Sequence, residues 1–322
     1  MPKSKSLFYK YARNLEIVLK QMDIHLGKEG RILQAPYYLC PLSQDIFPEQ
    51  CINSLLLTRE HVPPRSLGGQ ILCLTSKSAN NNADDDVLKK RHEEIILYQT
   101  QSKTTAYGYL HTHDAPTKGK KVKIHTYRED EKFILEYIVS PELITYLKNI
   151  AHPFSPGVKS TLNYSMLDIN HSMDLRAAYI KNAYLKAFAH FGYSLVIGEF
   201  IESHTMNFLN GSMNRVRIAL TDYNSEILSD IYIMECNNNW PSDNISMATS
   251  SDGCNHYLAV PICLKIEYRQ KAIVFFHMFG GRKSKPFNDL GTDHELSFTE
   301  CPNYLDLSTV NGALWFWRNT IN

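Results

Sequence analysis

The sequence lacks a long apolar run, an excess of charge of either sign and a regular cysteine pattern. No stretch approaches the roughly 18 to 20 continuous apolar residues that a membrane helix requires, so we predict no membrane association. The 34 Lys and Arg residues against 33 Asp and Glu residues give a formal net charge of +1. This balance excludes a uniformly basic nucleic-acid coat and an acidic disordered tail, and an anionic ligand would have to be met by a local patch.

The cysteines form no disulfide framework, because they are odd in number and scattered along the chain. Reduced thiols of this kind are typical of a cytoplasmic compartment. Lys3 and Lys5 are followed by no apolar segment, so we expect no secretory signal and a cytoplasmic location. The seven cysteines are Cys40, Cys51, Cys73, Cys236, Cys254, Cys263 and Cys301.

Several common functional motifs are also missing, namely a Gly-rich phosphate loop, a serine nucleophile elbow and a dinucleotide fingerprint. What is present is a chain of 322 residues with 43% hydrophobic residues, enough for one large or two ordinary domains with a substantial core.

Hydrophobic spacing predicts helices over 5–26 and 174–191, the second ended by Gly192, and a shorter helix over 142–150 opened by Pro141. We expect polar loops at 237–239 and 246–252. Because the second half has strand-like segments with little helix between them, the predicted fold class is α+β with mostly antiparallel strands. The predicted strands are 105–110, 122–127, 133–139, 193–200, 216–220, 227–235, 257–266 and 272–279.

The clearest motif lies between residues 40 and 83. Cys-Pro-Leu-Ser at 40–43 is followed by Thr-Arg-Glu-His-Val-Pro-Pro-Arg-Ser-Leu-Gly-Gly at 58–69 and by Leu-Thr-Ser-Lys-Ser-Ala-Asn-Asn-Asn-Ala at 74–83. This order resembles the HNH nuclease superfamily, in particular bacterial members in which an acidic residue and a histidine precede Pro-Pro and Leu-Gly-Gly. The resemblance implies a ββα-metal unit over residues 36–102.

The resemblance also implies roles for individual residues. His61 matches the general base, Glu60 the first metal ligand and Asn80 a second ligand at the start of a helix over 80–98. A histidine suits proton transfer near neutral pH, and a hard cation such as Mg²⁺ or Mn²⁺ prefers oxygen ligands. We therefore expect one divalent cation at this site. Arg65 is a candidate phosphate contact, because guanidinium binds phosphate bidentately; a solvated surface arginine is the equal alternative.

The sequence departs from the family at its structural zinc site. Many relatives hold zinc with two Cys-x-x-Cys knuckles, but here the corresponding pairs are Cys40 with Ser43 and Ser76 with Ala79. Because three of four ligands are missing, we expect the zinc to be lost and the unit to be held by packing against the larger domain. The aspartates at 84–86 either favour the helix dipole or supplement the metal site.

A basic run offers a second candidate contact with nucleic acid. Segment 36–102 itself holds six Lys and Arg against eight Asp and Glu, whereas 117–123 is densely basic and lies beside tyrosine-bearing strands. Basic residues interleaved with aromatics suit a nucleic-acid strand, although a charged hairpin loop is also a common solvated feature. The candidate residues are Lys118, Lys120, Lys121 and Lys123, near Tyr107, Tyr109 and Tyr127.

These observations predict an N-terminal helix (1–35), an HNH-like ββα-metal unit (36–102) and a larger α+β domain (103–322) with an internal boundary near 151–170. The expected function is metal-dependent hydrolysis of nucleic acid, with DNA favoured over RNA, in bacterial defence or a mobile element by analogy. The alternative is a degenerate scaffold that binds nucleic acid, a protein partner or a second copy of the chain. A third interpretation gives the C-terminal domain a small ligand.

Overall fold

The computed structural model describes part of the chain, and the statements below concern that part. The structure is α+β with antiparallel strand pairs, as the sequence predicts. None of the described helices is long and apolar enough to cross a membrane. The described residues are 3–21, 27–28, 31–32, 36–80, 86–93, 104–112, 115–129, 132–138, 141, 172–197, 204–237, 243–250, 256–265, 269–279 and 296–301.

The elements follow one another in chain order. The helices are α1 (Lys3–Gln21), α2 (Gln50–Asn53), α3 (86–93), α4 (Met173–Phe191), α5 (Ser194–Ile197), α6 (His204–Asp222) and α7 (Ser225–Asp230). The strands are β1 (Gly27–Lys28), β2 (Arg31–Ile32), β3 (Tyr37–Leu39), β4 (Ile46–Pro48), β5 (Leu57–Val62), β6 (Gln70–Ser76), β7 (Thr104–Thr112), β8 (Ala115–Glu129), β9 (Lys132–Ile138), β10 (Tyr232–Asn237), β11 (Ser246–Ser250), β12 (His256–Lys265), β13 (Arg269–Phe279) and β14 (Leu296–Glu300).

The chain divides into two compact units. The first comprises Met1–Leu88 and Ile169–Asn322, and the second comprises Lys89–Asp168. This grouping differs from the division predicted at residues 35 and 102. Helix α1 contacts β3 and β6, and α4 contacts β5 and β6, so these elements belong to one unit. The second unit contains the three-stranded antiparallel sheet β7-β8-β9.

An aromatic cluster joins the N-terminal elements of the first unit to α4. Tyr11 of α1 stacks on Phe188 of α4 with ring centroids 4.9 Å apart, and Phe8 stacks on Tyr38 of β3. All four rings are buried. Aromatic pairs of this kind contribute about 0.5–1.5 kcal/mol beyond the burial of their area, so the cluster fixes α1 and β3 against α4.

The buried tyrosines also complete the hydrogen bonding of backbone groups. Tyr38 Oη donates to the carbonyl of Leu74 at 2.5 Å and accepts from its amide at 3.1 Å. Tyr184 Oη of α4 donates to the carbonyl of Pro41, 143 residues earlier in the chain, at 2.9 Å. A buried backbone group without a partner is costly. The Tyr38 hydroxyl therefore holds β3 against β6, and the Tyr184 hydroxyl holds the turn after β3 against α4.

The largest sheet lies in the C-terminal part of the first unit. Its strand order is β10-β13-β12-β11-β14, and all neighbours are antiparallel. Helices α4 and α6 contact this sheet. Its core is formed by Ala248, Tyr257, Ala259, Ile273 and Phe275.

Many of the predicted elements are confirmed. Helix α1 matches the prediction over 5–26 as far as Gln21, and residues 22–26 lie outside the described residues. Helix α4 matches the prediction over 174–191, and Gly192 after it has a φ of 67°. The strands predicted at 105–110, 122–127, 133–139, 257–266 and 272–279 correspond to β7, β8, β9, β12 and β13. The predicted helix at 142–150 and boundary at 151–170 lie outside the described residues.

Other predictions are wrong. The strand predicted at 216–220 lies within α6, where Val216 and Ala219 are buried while Arg215 and Ile218 are exposed. This spacing is helical, and the apolar composition concealed it. Helix α5 occupies part of the strand predicted at 193–200, α7 takes the first part of 227–235, and β11 replaces the loop predicted at 246–252.

Candidate functional site

The candidate site is built on the antiparallel hairpin β5–β6. Thr58 pairs with Thr75 and Glu60 pairs with Cys73, and the register shifts between Glu60 and His61. The extra residue of this bulge is Leu72 of β6, while Glu60 and His61 point to opposite faces of β5 because successive strand side chains alternate. The structure thus places two of the predicted site residues side by side at the end of β5.

The turn of the hairpin depends on its two glycines. Gly68 has a φ of 81°, in the left-handed region that favours glycine. At Gly69 a β-carbon would lie 1.4 Å from the carbonyl oxygen of Pro63, which no side chain can accommodate without moving the backbone. The Leu-Gly-Gly segment of the motif therefore serves close backbone approach.

Glu60 is a buried, paired carboxylate with a residue exposure of 7%. Its Oε2 accepts a hydrogen bond from Thr75 Oγ1 at 3.0 Å. Its Oε1 lies 3.8 Å from Lys181 Nζ of α4, and both side chains are only 9% exposed. Glu60 thus forms an ion pair with Lys181 that joins β5 to α4. The sequence did not reveal this partner.

Asn80 lies in the turn after β6. Its amide Nδ2 donates to Thr58 Oγ1 at 2.8 Å, and its backbone amide donates to the carbonyl of Ser76 at 3.0 Å. The prediction of a helix over 80–98 is wrong at Asn80, because this turn precedes the described helical residues 86–93. Since Thr58 pairs with Thr75, Asn80 and Glu60 are bonded to neighbouring threonines on adjacent strands.

The arrangement of these residues does not fit the expected divalent cation. A Mg²⁺ ligand oxygen lies about 2.1 Å from the ion, but both oxygens of Glu60 already face a cation or a hydroxyl donor. The described residues contain no group of three or more His, Cys, Asp and Glu that could hold a metal.

His61 is half-buried and lies among positive charges. Burial lowers its pKa, and the charges of Arg65, Arg59 and Lys3 lower it further, in that order. All three cationic residues are exposed. We call Lys3, Arg59, His61 and Arg65 the His61 surface, which combines a neutral imidazole with three cations.

The four positions that correspond to the zinc knuckles lie together. The buried Cys40 Sγ accepts hydrogen bonds from the amides of Ser43 at 3.5 Å and Ser76 at 3.3 Å. Ser43 Oγ donates to Ser76 Oγ at 3.3 Å, and the amide of Ala79 donates to the same oxygen at 3.3 Å. With one sulfur among the four positions, this donor set does not fit tetrahedral zinc.

The basic run lies in the second unit. The loop predicted before the strand at 122–127 is wrong at 117–121, because β8 begins at Ala115 and includes these residues. In the pairing of β8 with β7, Tyr107 is opposite Lys123, Tyr109 is opposite Lys121 and Leu110 is opposite Lys120. The side chains of this strand, including Lys118, lie outside the described residues.

Sequence reasoning missed Lys181, Arg59 and Lys3. Arg59 had a local signal, since it stands within the motif beside Glu60. Lys181 had none, because its helix enters the site only through tertiary packing.

No protein-family model matches this chain, and no curated protein or solved structure matches it either.

Proposed function

We propose that this protein binds the phosphate backbone of nucleic acid at the His61 surface, on an HNH-like scaffold whose metal site is degenerate. The observation that carries this proposal is the cationic environment of His61, where burial and then three exposed positive side chains lower the pKa of the imidazole. A phosphate group placed there would meet cations from α1, from β5 and from the turn that follows β5.

The chemistry of the surface suits phosphate. Arg59 and Arg65 carry planar guanidinium groups that can bind phosphate oxygens bidentately, and Lys3 adds a point charge. The nearest carboxylate of the motif, Glu60, is buried and paired with Lys181, so its charge is compensated within the protein. Neutralising phosphates also releases counterions, and this release favours binding at low salt.

The hairpin contacts support the HNH-like ancestry of the scaffold. The two knuckle segments, far apart in sequence, are joined by hydrogen bonds from the Ser76 amide to Cys40 Sγ and from Ser43 Oγ to Ser76 Oγ. The tight turn at Gly69 agrees with the Leu-Gly-Gly signature.

We also propose a second contact with nucleic acid on β8, with DNA favoured over RNA. It is formed by Lys118, Lys120, Lys121 and Lys123.

The test is fluorescence anisotropy with labelled single-stranded and duplex DNA and RNA in EDTA at several salt concentrations. Lys3→Ala and Arg65→Ala should each weaken binding and reduce the slope of log K against log salt by about one. Lys20→Ala is a matched control, because Lys20 is exposed on the same helix as Lys3 but about 25 Å along its axis.

Equal loss in Lys3→Ala and Lys20→Ala would indicate a nonspecific charge effect and would contradict a site at His61. Absence of binding to all four nucleic acids by the folded protein would overturn the proposal in favour of a protein partner.

A second candidate function is phosphodiester hydrolysis, which the lowered pKa of His61 favours. A neutral imidazole at neutral pH is the form that accepts a proton from an attacking water. Arg59 and Arg65 would stabilise the negative charge that develops on the phosphate. The expected assay compares plasmid and single-stranded DNA cleavage by the wild-type protein and His61→Ala in Mg²⁺, Mn²⁺ and EDTA. Cleavage lost in His61→Ala, with DNA affinity kept, would establish the enzyme.

A further inference from the structure

We infer that the ammonium group of Lys181 takes the place of a metal ion at Glu60, so that the hairpin site functions without a divalent cation. This inference rests on the proposed function, because it concerns the same HNH-like hairpin and the residue that matches the family's metal ligand. It extends the proposal by stating what neutralises the carboxylate.

The geometry of the pair carries the inference. Lys181 Nζ lies 3.8 Å from Glu60 Oε1, while Thr75 Oγ1 donates to Oε2 at 3.0 Å. A buried carboxylate is strongly destabilising without a counterion, and here the counterion is a side chain of the protein. Both charged groups are almost fully removed from water.

A dication at the same carboxylate would conflict with this arrangement. To bind at about 2.1 Å it would have to approach Glu60 beside the buried ammonium, and two cations repel strongly where the dielectric constant is low. The hairpin is therefore organised for an internal cation.

The sequence of α4 explains how Lys181 reaches the hairpin. Tyr184 lies three residues later, on the same side of the helix, and donates to the carbonyl of Pro41. Phe188, one further turn along, stacks on Tyr11. These contacts hold α4 against the N-terminal elements and bring Lys181 to Glu60.

The test measures Mn²⁺ binding by calorimetry and the Mn²⁺-induced change in melting temperature. The wild-type protein and Glu60→Gln should bind Mn²⁺ equally weakly, because Glu60 is not available. Lys181→Met keeps the length of the side chain but removes its charge, so it should gain one Mn²⁺ site and a higher melting temperature in Mn²⁺. The gain should disappear in Lys181→Met/Glu60→Gln. Lys186→Met, on the same helix, is the matched control and should gain no site.

Mn²⁺ binding by the wild-type protein that Glu60→Gln abolishes would overturn the inference, as would a folded Lys181→Met protein with no new site. A Lys181→Met protein that folds only in Mn²⁺ would support it. If this variant folds in neither condition, the comparison of wild type with Glu60→Gln decides. Failure of the proposed nucleic-acid binding can be distinguished from failure of this inference, because anisotropy in EDTA tests the first and the Mn²⁺ titration tests the second.

Discussion

The hydroxyl of Tyr193 satisfies both backbone groups of Leu39: it donates to the carbonyl at 2.5 Å and accepts from the amide at 3.0 Å. Tyr193 follows α4 and is fully buried, whereas Leu39 ends strand β3. One oxygen atom thus replaces the neighbouring strand that β3 lacks on this side.

Tyr193→Phe should therefore destabilise the protein by about 1–3 kcal/mol, because both groups of Leu39 lose their partner while the ring stays in place. Chemical denaturation monitored by circular dichroism measures the change. Tyr37→Phe, at a half-exposed position of the same strand, should cost less than about 0.5 kcal/mol. Similar losses in the two variants would contradict the role given to the Tyr193 hydroxyl.

The hairpin turn predicts a contrast between its two glycines. Gly69→Ala should destabilise the protein by about 3 kcal/mol or more, since the new carbon collides with the carbonyl of Pro63. Gly68→Ala meets only the strain of a left-handed backbone and should cost about 1–2 kcal/mol. Thermal unfolding of both variants is the measurement, and a Gly69→Ala protein as stable as the wild type would refute the close approach.

The knuckle positions predict that a zinc site can be rebuilt. Ser43→Cys/Ser76→Cys/Ala79→Cys would surround Cys40 with three more thiols at positions already in contact. We expect this variant to bind one Co²⁺ with the absorption of cobalt–thiolate bonds and to be stabilised by Zn²⁺. Ala79→Cys alone, with two thiols, serves as the control. A folded triple variant that binds no Co²⁺ would argue against the HNH-like ancestry.

The His61 surface predicts that nucleic-acid affinity increases as the pH falls. In the free protein burial and, after it, the neighbouring cations hold the pKa of His61 below its ordinary value of 6.5. A bound phosphate favours the protonated imidazole and raises this pKa, so binding takes up a proton at pH values between the free and bound pKa.

Each unit of difference between the two pKa values corresponds to a tenfold change in affinity. Anisotropy between pH 5 and 8 measures it, and His61→Gln should remove the dependence while keeping affinity near that of the wild type at high pH. An unchanged pH profile in His61→Gln would place the titrating group elsewhere.

The sequence predicted the fold best where local pattern decides structure. Helix α4 carries its own end signal in Gly192, and strand β9 of the second unit is a short, mainly apolar run. Strand β11 could not be found this way, since Ser246, Ala248 and Thr249 form no apolar run and the strand is fixed by its pairing with β12 and β14. The motif likewise indicated His61 and Glu60, but their charges are set by contacts across the fold.

The tyrosine contacts between α4 and the segment 36–76 have a consequence during protein synthesis. The hydroxyl of Tyr184 is made 143 residues after the Pro41 carbonyl that it binds. At about 5–20 residues per second, the ribosome needs about 7 to 30 seconds to supply it. During that interval the edge of β3 that Tyr193 covers in the folded protein stays open, and an open strand edge favours aggregation. We therefore expect the nascent chain to depend on a holding chaperone until α4 emerges.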